Sequence, residues 1–307
     1  MAERVTVEVG GRQLTLSNLD KVLYPSVGFT KGEVIDYYTR IAPVLLPHLA
    51  DRPLTVKRYP NGVDGAFFFE KNATRGTPSW VRTVTLPVPG STKNRDTIDY
   101  VVVEELATLV WLANLAALEL HVPQWRVRPR ARKPRTDLVV FDLDPGAPAT
   151  IDECCEVALA LRGLLSGDGL APAAKTSGSK GMQVSAAVSV EDPELPSRYA
   201  RAIAQRLEAE HPNLVVSRMT KSLRPGKVLV DWSQNNPAKT TVAPYSLRAR
   251  DEPTVSTPLS WDEVASGEAL RFTATDVLDR VDADGDLFAG VLDEDARARI
   301  TPTMATR

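Results

Sequence analysis

Asp142 and Asp144 close an apolar run, Leu138-Val139-Val140-Phe141-Asp142-Leu143-Asp144-Pro145, that has the composition of a β-strand. Alternate side chains of a strand share a face, so the two carboxylates point the same way, roughly 6 to 7 Å apart, while Val139, Phe141 and Leu143 face a core. Two acids held side by side repel unless a cation sits between them, and oxygen donors at this separation suit hard divalent ions. A second apolar run, Val228-Leu229-Val230-Asp231-Trp232, also ends in an aspartate. It offers the third carboxylate that a two-metal centre needs, and the chemistry is then metal-assisted phosphoryl or nucleotidyl transfer. Taken alone, Asp-x-Asp-Pro reads as a turn more readily than as a metal site, because Asp bends and caps chains.

Groups able to hold phosphates surround these acids in the sequence. The turn Lys175-Thr176-Ser177-Gly178-Ser179-Lys180-Gly181 exposes backbone N–H groups beside a lysine and can cradle a triphosphate. It is no Walker A loop, since the Gly-x4-Gly-Lys-Ser/Thr order and the helix after it are absent. Lys57 and Arg58 end a strand, and Phe67, Phe68 and Phe69 follow. Three consecutive rings cannot all face one core, so at least one is expected at the surface, where it could stack on a base. His121 stands at an element boundary, a common place for functional residues. Lys21 and Lys31 flank the start of a helix, where N–H groups and lysines favour phosphate. Six bases in ten residues, Arg126 to Arg135, form an extended basic loop directly before the Asp142 strand.

The elements that must position these groups are legible in outline. Arg4 to Leu16 alternates around Gly10-Gly11, a hairpin signal, and Leu16 to Pro25 reads as a loop. Thr30, with Glu33 three residues on, caps a helix to about Leu46. Strands are expected over Leu54–Pro60 and Thr97–Val103, and a buried helix over Glu104–Leu120. A helix capped at Thr150 or Asp152 runs to about Leu165, a strand covers Met182–Val190, and a helix covers Ser197–Glu210. Trp261–Leu270 and Asp276–Arg299 read as acidic helices. Asp282-Ala283-Asp284-Gly285-Asp286 has its glycine at the fourth position instead of the sixth of a calcium loop, so it reads as a solvated turn.

Composition fits one or two α/β domains: the chain has 307 residues, 43% hydrophobic and 25% charged. No apolar run reaches membrane-helix length and no signal pattern opens the chain, which places it in the cytosol. Adjacent Cys154 and Cys155 offer neither disulfide nor metal spacing and are expected as packed helical thiols. The net charge is −2, yet residues from Asp251 onward carry thirteen acids and five bases, −8, leaving +6 on residues 1 to 250. Such a basic body can meet a phosphate backbone.

In combination and in order, Leu16-Ser17-Asn18-Leu19-Asp20-Lys21-Val22-Leu23-Tyr24-Pro25, His121-Val122-Pro123-Gln124-Trp125, Phe141-Asp142-Leu143-Asp144-Pro145-Gly146, Thr176-Ser177-Gly178-Ser179-Lys180-Gly181 and Val230-Asp231-Trp232-Ser233-Gln234-Asn235 resemble one family. It is the polymerase domain of bacterial end-joining DNA ligases of the ligase D type, with stand-alone relatives, in the archaeo-eukaryotic primase superfamily. The resemblance implies an α+β, two-lobed primase-polymerase core with an RRM-like catalytic sheet, a single domain over residues 1–307 with its core at about 16–290. It also implies a template-directed nucleotidyltransferase that extends primers and fills short gaps at DNA breaks. Asp142, Asp144 and Asp231 would hold two divalent ions, manganese or magnesium, with His121 beside them. Lys57, Ser177, Lys180, Arg224, Gln234 and Arg248 would meet the incoming NTP or dNTP, with ribonucleotides preferred. Phe68 and Phe69 would pack on nucleotide and template bases, and Asn18, Lys21 and Lys31 would grip the downstream 5′-phosphate. A DNA ligase and the Ku end-binding protein are the implied partners, in the bacterial cytosol or nucleoid. The family's usual Leu-His after the Ser-Gly turn is here Met182-Gln183, and glutamine can donate a hydrogen bond but carries no proton or charge. The chain ends without ligase or nuclease segments, as an excised domain or a stand-alone member would, and Gln183 favours the latter. A two-metal phosphodiesterase or nuclease, or a non-catalytic end-bridging module, are the alternatives.

Overall fold

The computed structural model describes residues 4–88, 96–127, 135–190, 192–268 and 270–306. Two buried apolar clusters divide the molecule into lobes. One gathers Leu23, Tyr38, Ile41, Leu45, Leu109 and Leu118, the other Val139, Phe141, Leu161, Val184 and Tyr199, and Phe272 touches both. The mixed α+β class is as expected.

In the first lobe the hairpin pairs Arg4–Val9 with Arg12–Ser17, and Gly10 and Gly11 take φ of +55° and +77° as a two-residue turn requires. Leu16 to Pro25 is less irregular than expected, because Val22–Tyr24 pairs with Phe29–Thr30. The helix Lys31–Leu49 begins with a reciprocal capping box of Thr30 and Glu33 and runs past Leu46 to Leu49. A four-stranded sheet follows in the order Thr241–Val242, Ala117–Val122, Thr55–Arg58, Phe68–Glu70.

The expected helix over Glu104–Leu120 is corrected here. The helix covers only Leu106–Asn114, Ala116 turns the chain at φ +57°, and Ala117–Val122 is a strand. That strand is an inner strand of its sheet and nearly all buried. Its Glu119 and His121 do alternate with Leu118, Leu120 and Val122, but the largely apolar run of Leu106–Ala113 just before it extends the helical pattern over this short stretch.

In the second lobe a seven-stranded sheet runs Val215–Val216, Val228–Asp231, Leu138–Pro145, Met182–Ser189, Pro172–Thr176, Pro258–Leu259, with Ala298–Arg299 added alongside Met182–Ser189. Helices Ile151–Gly167 and Leu195–Glu210 cover one face with Cys154, Cys155, Leu161, Tyr199 and Ile203. The other face carries the acids. Asp276–Arg299 is not one helix: Ala274–Asp284 ends at Gly285, φ +70°, and the chain continues through a short 3-10 turn. Trp261–Ser266 likewise stops at left-handed Gly267. Asp286 is not solvated as expected, since it accepts from His48 Nε2 at 2.9 Å and Tyr245 Oη at 2.6 Å. No helix of the described residues is long and apolar enough to cross a membrane.

A candidate nucleotidyl-transfer site

Strand register lines four polar side chains across the second sheet. Asp142 stands opposite Asp231 on one side and Gln183 on the other, and Gln183 stands opposite Lys175. Phe141 and Leu143, which alternate with the acids, are wholly buried on the helix side, so alternation turns Asp142 and Asp144 outward together. Gln183 Nε2 donates to Asp142 Oδ1 at 2.9 Å. Asp231 Oδ1 accepts from the Ser233 N–H at 2.9 Å, and its Oδ2 accepts from Gln234 Nε2 at 2.9 Å. Burial, then Asp144, then Asp231 push the Asp142 carboxyl up to about 7. Burial and Asp231 push Asp144 up as well, against the pull of Arg224. Lys175 is 3% exposed and donates to Ser256 Oγ at 2.6 Å; burial pushes it down to about 7, against the attraction of Asp142.

Two close backbone approaches build the rim. A Cβ on Gly181 would lie 1.9 Å from the Leu143 carbonyl, and one on Gly146 would lie 2.2 Å from that of Arg224. Only glycine lets the Ser-Gly turn and the Arg224 loop close on the acid strand. Within the turn, Ser177 Oγ accepts from the N–H groups of Ser179, at 3.3 Å, and Gly181, at 3.2 Å. Arg248 reaches across and donates to the Ser177 carbonyl.

Between the lobes lies a cavity of about 320 Å³. His121, Asp142, Asp144, Ser177, Lys180, Gln234 and Arg248 line it, joined by Gln183, Thr241 and Arg250. Asp231, Lys57 and Arg224 do not line it. Asp231 lies beneath Gln234, and Arg224 donates to the Met219 carbonyl at 2.8 Å. Lys57 contacts Glu119 at 3.8 Å. Glu119 was hidden by the helical reading of its segment; a Glu-x-His pair on one strand face would have been the signal. Arg250 had no distinguishing pattern.

The model of the LigD primase-polymerase domain matches residues 30–288. The chain belongs to that family. It is 48% identical over 298 residues to the multifunctional non-homologous end joining protein LigD of Mycolicibacterium smegmatis, covering 96% of this chain and 38% of that protein. The corresponding bifunctional protein of Bacillus subtilis is 32% identical over 276 residues, 89% of this chain and 43% of the relative. The chain thus spans well under half the length of these LigD relatives. The polymerase domain of Mycobacterium tuberculosis ligase D, solved in complex with DNA, superposes with TM-score 0.86 at 43% identity, over 92% of this chain and 98% of that one. LigD polymerase domains are DNA-directed nucleotidyltransferases that generally need divalent metals.

The acid row fits such ions in its chemistry, since Asp142 and Asp231 stand directly opposite each other with Asp144 on the same face, and burial, then neighbouring carboxylates, raise the pKa of Asp142 and Asp144. Among the described residues no three acidic, His or Cys side chains close into a ligating group, and Asp231 accepts hydrogen bonds from Ser233 and Gln234. Gln183, which stands just after the Ser-Gly turn, donates to an oxygen of Asp142.

The remaining LigD-like positions are split. Phe67, Phe68 and Phe69 are all exposed. Phe69 meets His121 edge-on at 6.2 Å, whereas Phe68 lies under Arg58, on the opposite strand face. It is Phe67, beneath Lys57 at 4.0 Å, that shares the side of Phe69. Asn18, Lys21 and Lys31 form a separate cluster away from the acid cavity. The Lys31 N–H donates to the Lys21 carbonyl at 2.8 Å, Asn18 sits at φ +54°, and Lys21 Nζ donates to Asn61 Oδ1 at 3.2 Å. Burial and the charge of Lys21 lower the Lys31 pKa, and among the described residues neither lysine has an acidic partner. Most of the basic run lies outside the described residues; Arg126, at its start, donates to Asp137 at 2.7 Å.

Proposed function

We propose that the chain works as a single domain that extends primers and fills short gaps at DNA breaks, in end joining or excision repair, prefers ribonucleotides, and recognises a downstream 5′-phosphate. The observation that carries this reading is the cavity in which Asp142 and Asp144 face Lys180 and Arg248. Acids alone would serve a nuclease, but cations opposite them suit a triphosphate, which hydrolysis does not need.

In this reading the primer 3′-oxygen attacks the α-phosphate, a phosphodiester bond forms, and pyrophosphate leaves. Asp142, Asp144 and Asp231 would hold two divalent ions, manganese or magnesium, which when bound activate the 3′-hydroxyl and offset charge on the leaving pyrophosphate. Lys180 and Arg248, with Lys57, Arg224 and His121, orient the triphosphate; Ser177 and Gln234 fix its sugar and phosphate edge. Phe69 stacks on the nucleobase, with Phe68 toward the template. Asn18, Lys21 and Lys31 take the 5′-phosphate across the gap. A DNA ligase and a Ku-type end-binding protein would be its partners, in the bacterial cytosol.

A gapped duplex with labelled primer, downstream 5′-phosphate, Mn²⁺ and NTPs or dNTPs tests the reading. Primer growth that vanishes in Asp142→Ala supports it. Primer shortening would indicate a nuclease, and a gel shift without change in length an end-bridging module.

A further inference from the structure

Glu119 lies on the central Ala117–Val122 strand at 2% exposure, beneath the cavity and outside its lining. Its two oxygens divide the groups above it. Oε1 faces Lys57 Nζ at 3.8 Å and accepts from the Ala249 N–H at 3.1 Å. Oε2 faces His121 Nε2 at 3.0 Å and Arg248 Nε at 3.4 Å. Those groups come from three separate stretches of chain: the Thr55–Arg58 strand, Glu119's own strand, and the segment after Ala243. Burial raises the Glu119 carboxyl, yet His121, Arg248 and Lys57 outweigh it and hold the group down to about 2. A buried carboxylate with three basic neighbours stays ionised, and each neighbour is fixed relative to the other two.

We infer that Glu119 is a positioning residue that sets the spacing of Lys57, His121 and Arg248 for a nucleoside triphosphate. This rests on the reading that those three groups contact the triphosphate. Glutamine at this position keeps the shape but offers one acceptor oxygen instead of two, and its amide N–H groups would face Lys57 or Arg248, neither of which has an acceptor. The charge argument runs the other way: losing a negative charge makes the cavity more positive, which by itself attracts a triphosphate more strongly. The two effects have opposite signs, so one measurement separates them.

The experiment is equilibrium binding of a non-hydrolysable ribonucleoside triphosphate to the whole chain, compared across wild type, Glu119→Gln, Glu119→Asp, Lys57→Ala and Arg248→Ala. Steady-state kinetics and thermal melting accompany it. Glu119→Gln is expected to weaken binding by on the order of tenfold to a hundredfold, mainly in KM, because misplacement by about 1 Å is costly in an oriented site. Glu119→Asp, which keeps the charge, recovers part of the loss. Binding that is unchanged or tighter in Glu119→Gln, while Lys57→Ala and Arg248→Ala weaken it, overturns the inference alone. If Lys57→Ala and Arg248→Ala leave binding unchanged, the triphosphate reading itself fails. Retained binding of gapped DNA that depends on its 5′-phosphate separates a local effect from unfolding; loss of that binding together with nucleotide binding in both Glu119 variants makes Glu119 a folding residue and overturns the inference.

Discussion

At Asp142 three effects act in one direction: partial burial and two neighbouring carboxylates all penalise its charged form and hold it up at about 7. The ordinary value is 3.8, so as pH rises from about 4 to about 7 the unfolded chain gives up this proton before the folded one does. Metal-free stability attributable to this group is therefore present at acid pH and lost across that window. Asp142→Asn is expected to remove that slope and raise the metal-free Tm at pH 7.5 by about 1 to 2 °C per kcal/mol regained. The same variant loses primer extension by on the order of a thousandfold or more. Scanning calorimetry in EDTA checks the first outcome, and a lower Tm would contradict it. Glu119 behaves oppositely: its depressed pKa gives stability above the ordinary value of 4.5 that is lost as pH falls toward 2, so Glu119→Gln is expected to differ least from wild type in acid.

The start of the Lys31–Leu49 helix couples an ordinary capping device to the proposed 5′-phosphate pocket. Thr30 Oγ1 accepts from the Glu33 N–H at 3.3 Å, and the Glu33 carboxylate accepts from the Thr30 N–H at 2.7 Å. Thr30→Ala is expected to cost about 1 kcal/mol, read in urea unfolding. Lys21→Ala should weaken binding only to gaps with a phosphorylated downstream strand, and reduce the slope of log affinity against log salt by about one. An equal loss on unphosphorylated gaps would remove Lys21 from that role. This element was legible because its cap, its apolar spacing at Val34, Tyr37, Tyr38 and Ile41 and its basic flanks all lie within one stretch. The segment Leu106–Val122 was not, since its apolar helix runs within two residues into a short buried strand, and the Glu119/His121 alternation of that strand is too brief to outweigh the helical pattern before it.

At the scale of the molecule, the lobes are clasped by ion pairs as well as by Phe272. Arg52, 2% exposed and just past the first-lobe helix, donates to Asp137 Oδ2 at 2.8 Å, at the entry to the Asp142 strand. Arg126 shares that oxygen, and Arg297 stands 4.0 Å from it. Removing one member leaves buried charge uncompensated, so Asp137→Asn is expected to destabilise the chain by about 3 to 5 kcal/mol. Urea unfolding measures it, and a change under about 1 kcal/mol would show that the clasp adds little. Because the proposed site lies between the lobes, the same variant should raise KM for nucleotide before it alters the secondary structure.

The acid-bearing strand, its outward aspartates, the hairpin, the capped helices and the Ser-Gly turn were set by the sequence itself, since period and capping chemistry act over a few residues. Periodicity says which face a side chain takes but not which strand lies next to it. Placing Asp231 directly opposite Asp142 required antiparallel pairing of strands some ninety residues apart in the chain. Seating Glu119 beneath Lys57 and Arg248 required pairing of the Thr55–Arg58 strand with Ala117–Val122 and the return of the distant segment around Arg248 to the same place. Such neighbours are chosen by burial of whole faces, a property that only the assembled lobes possess.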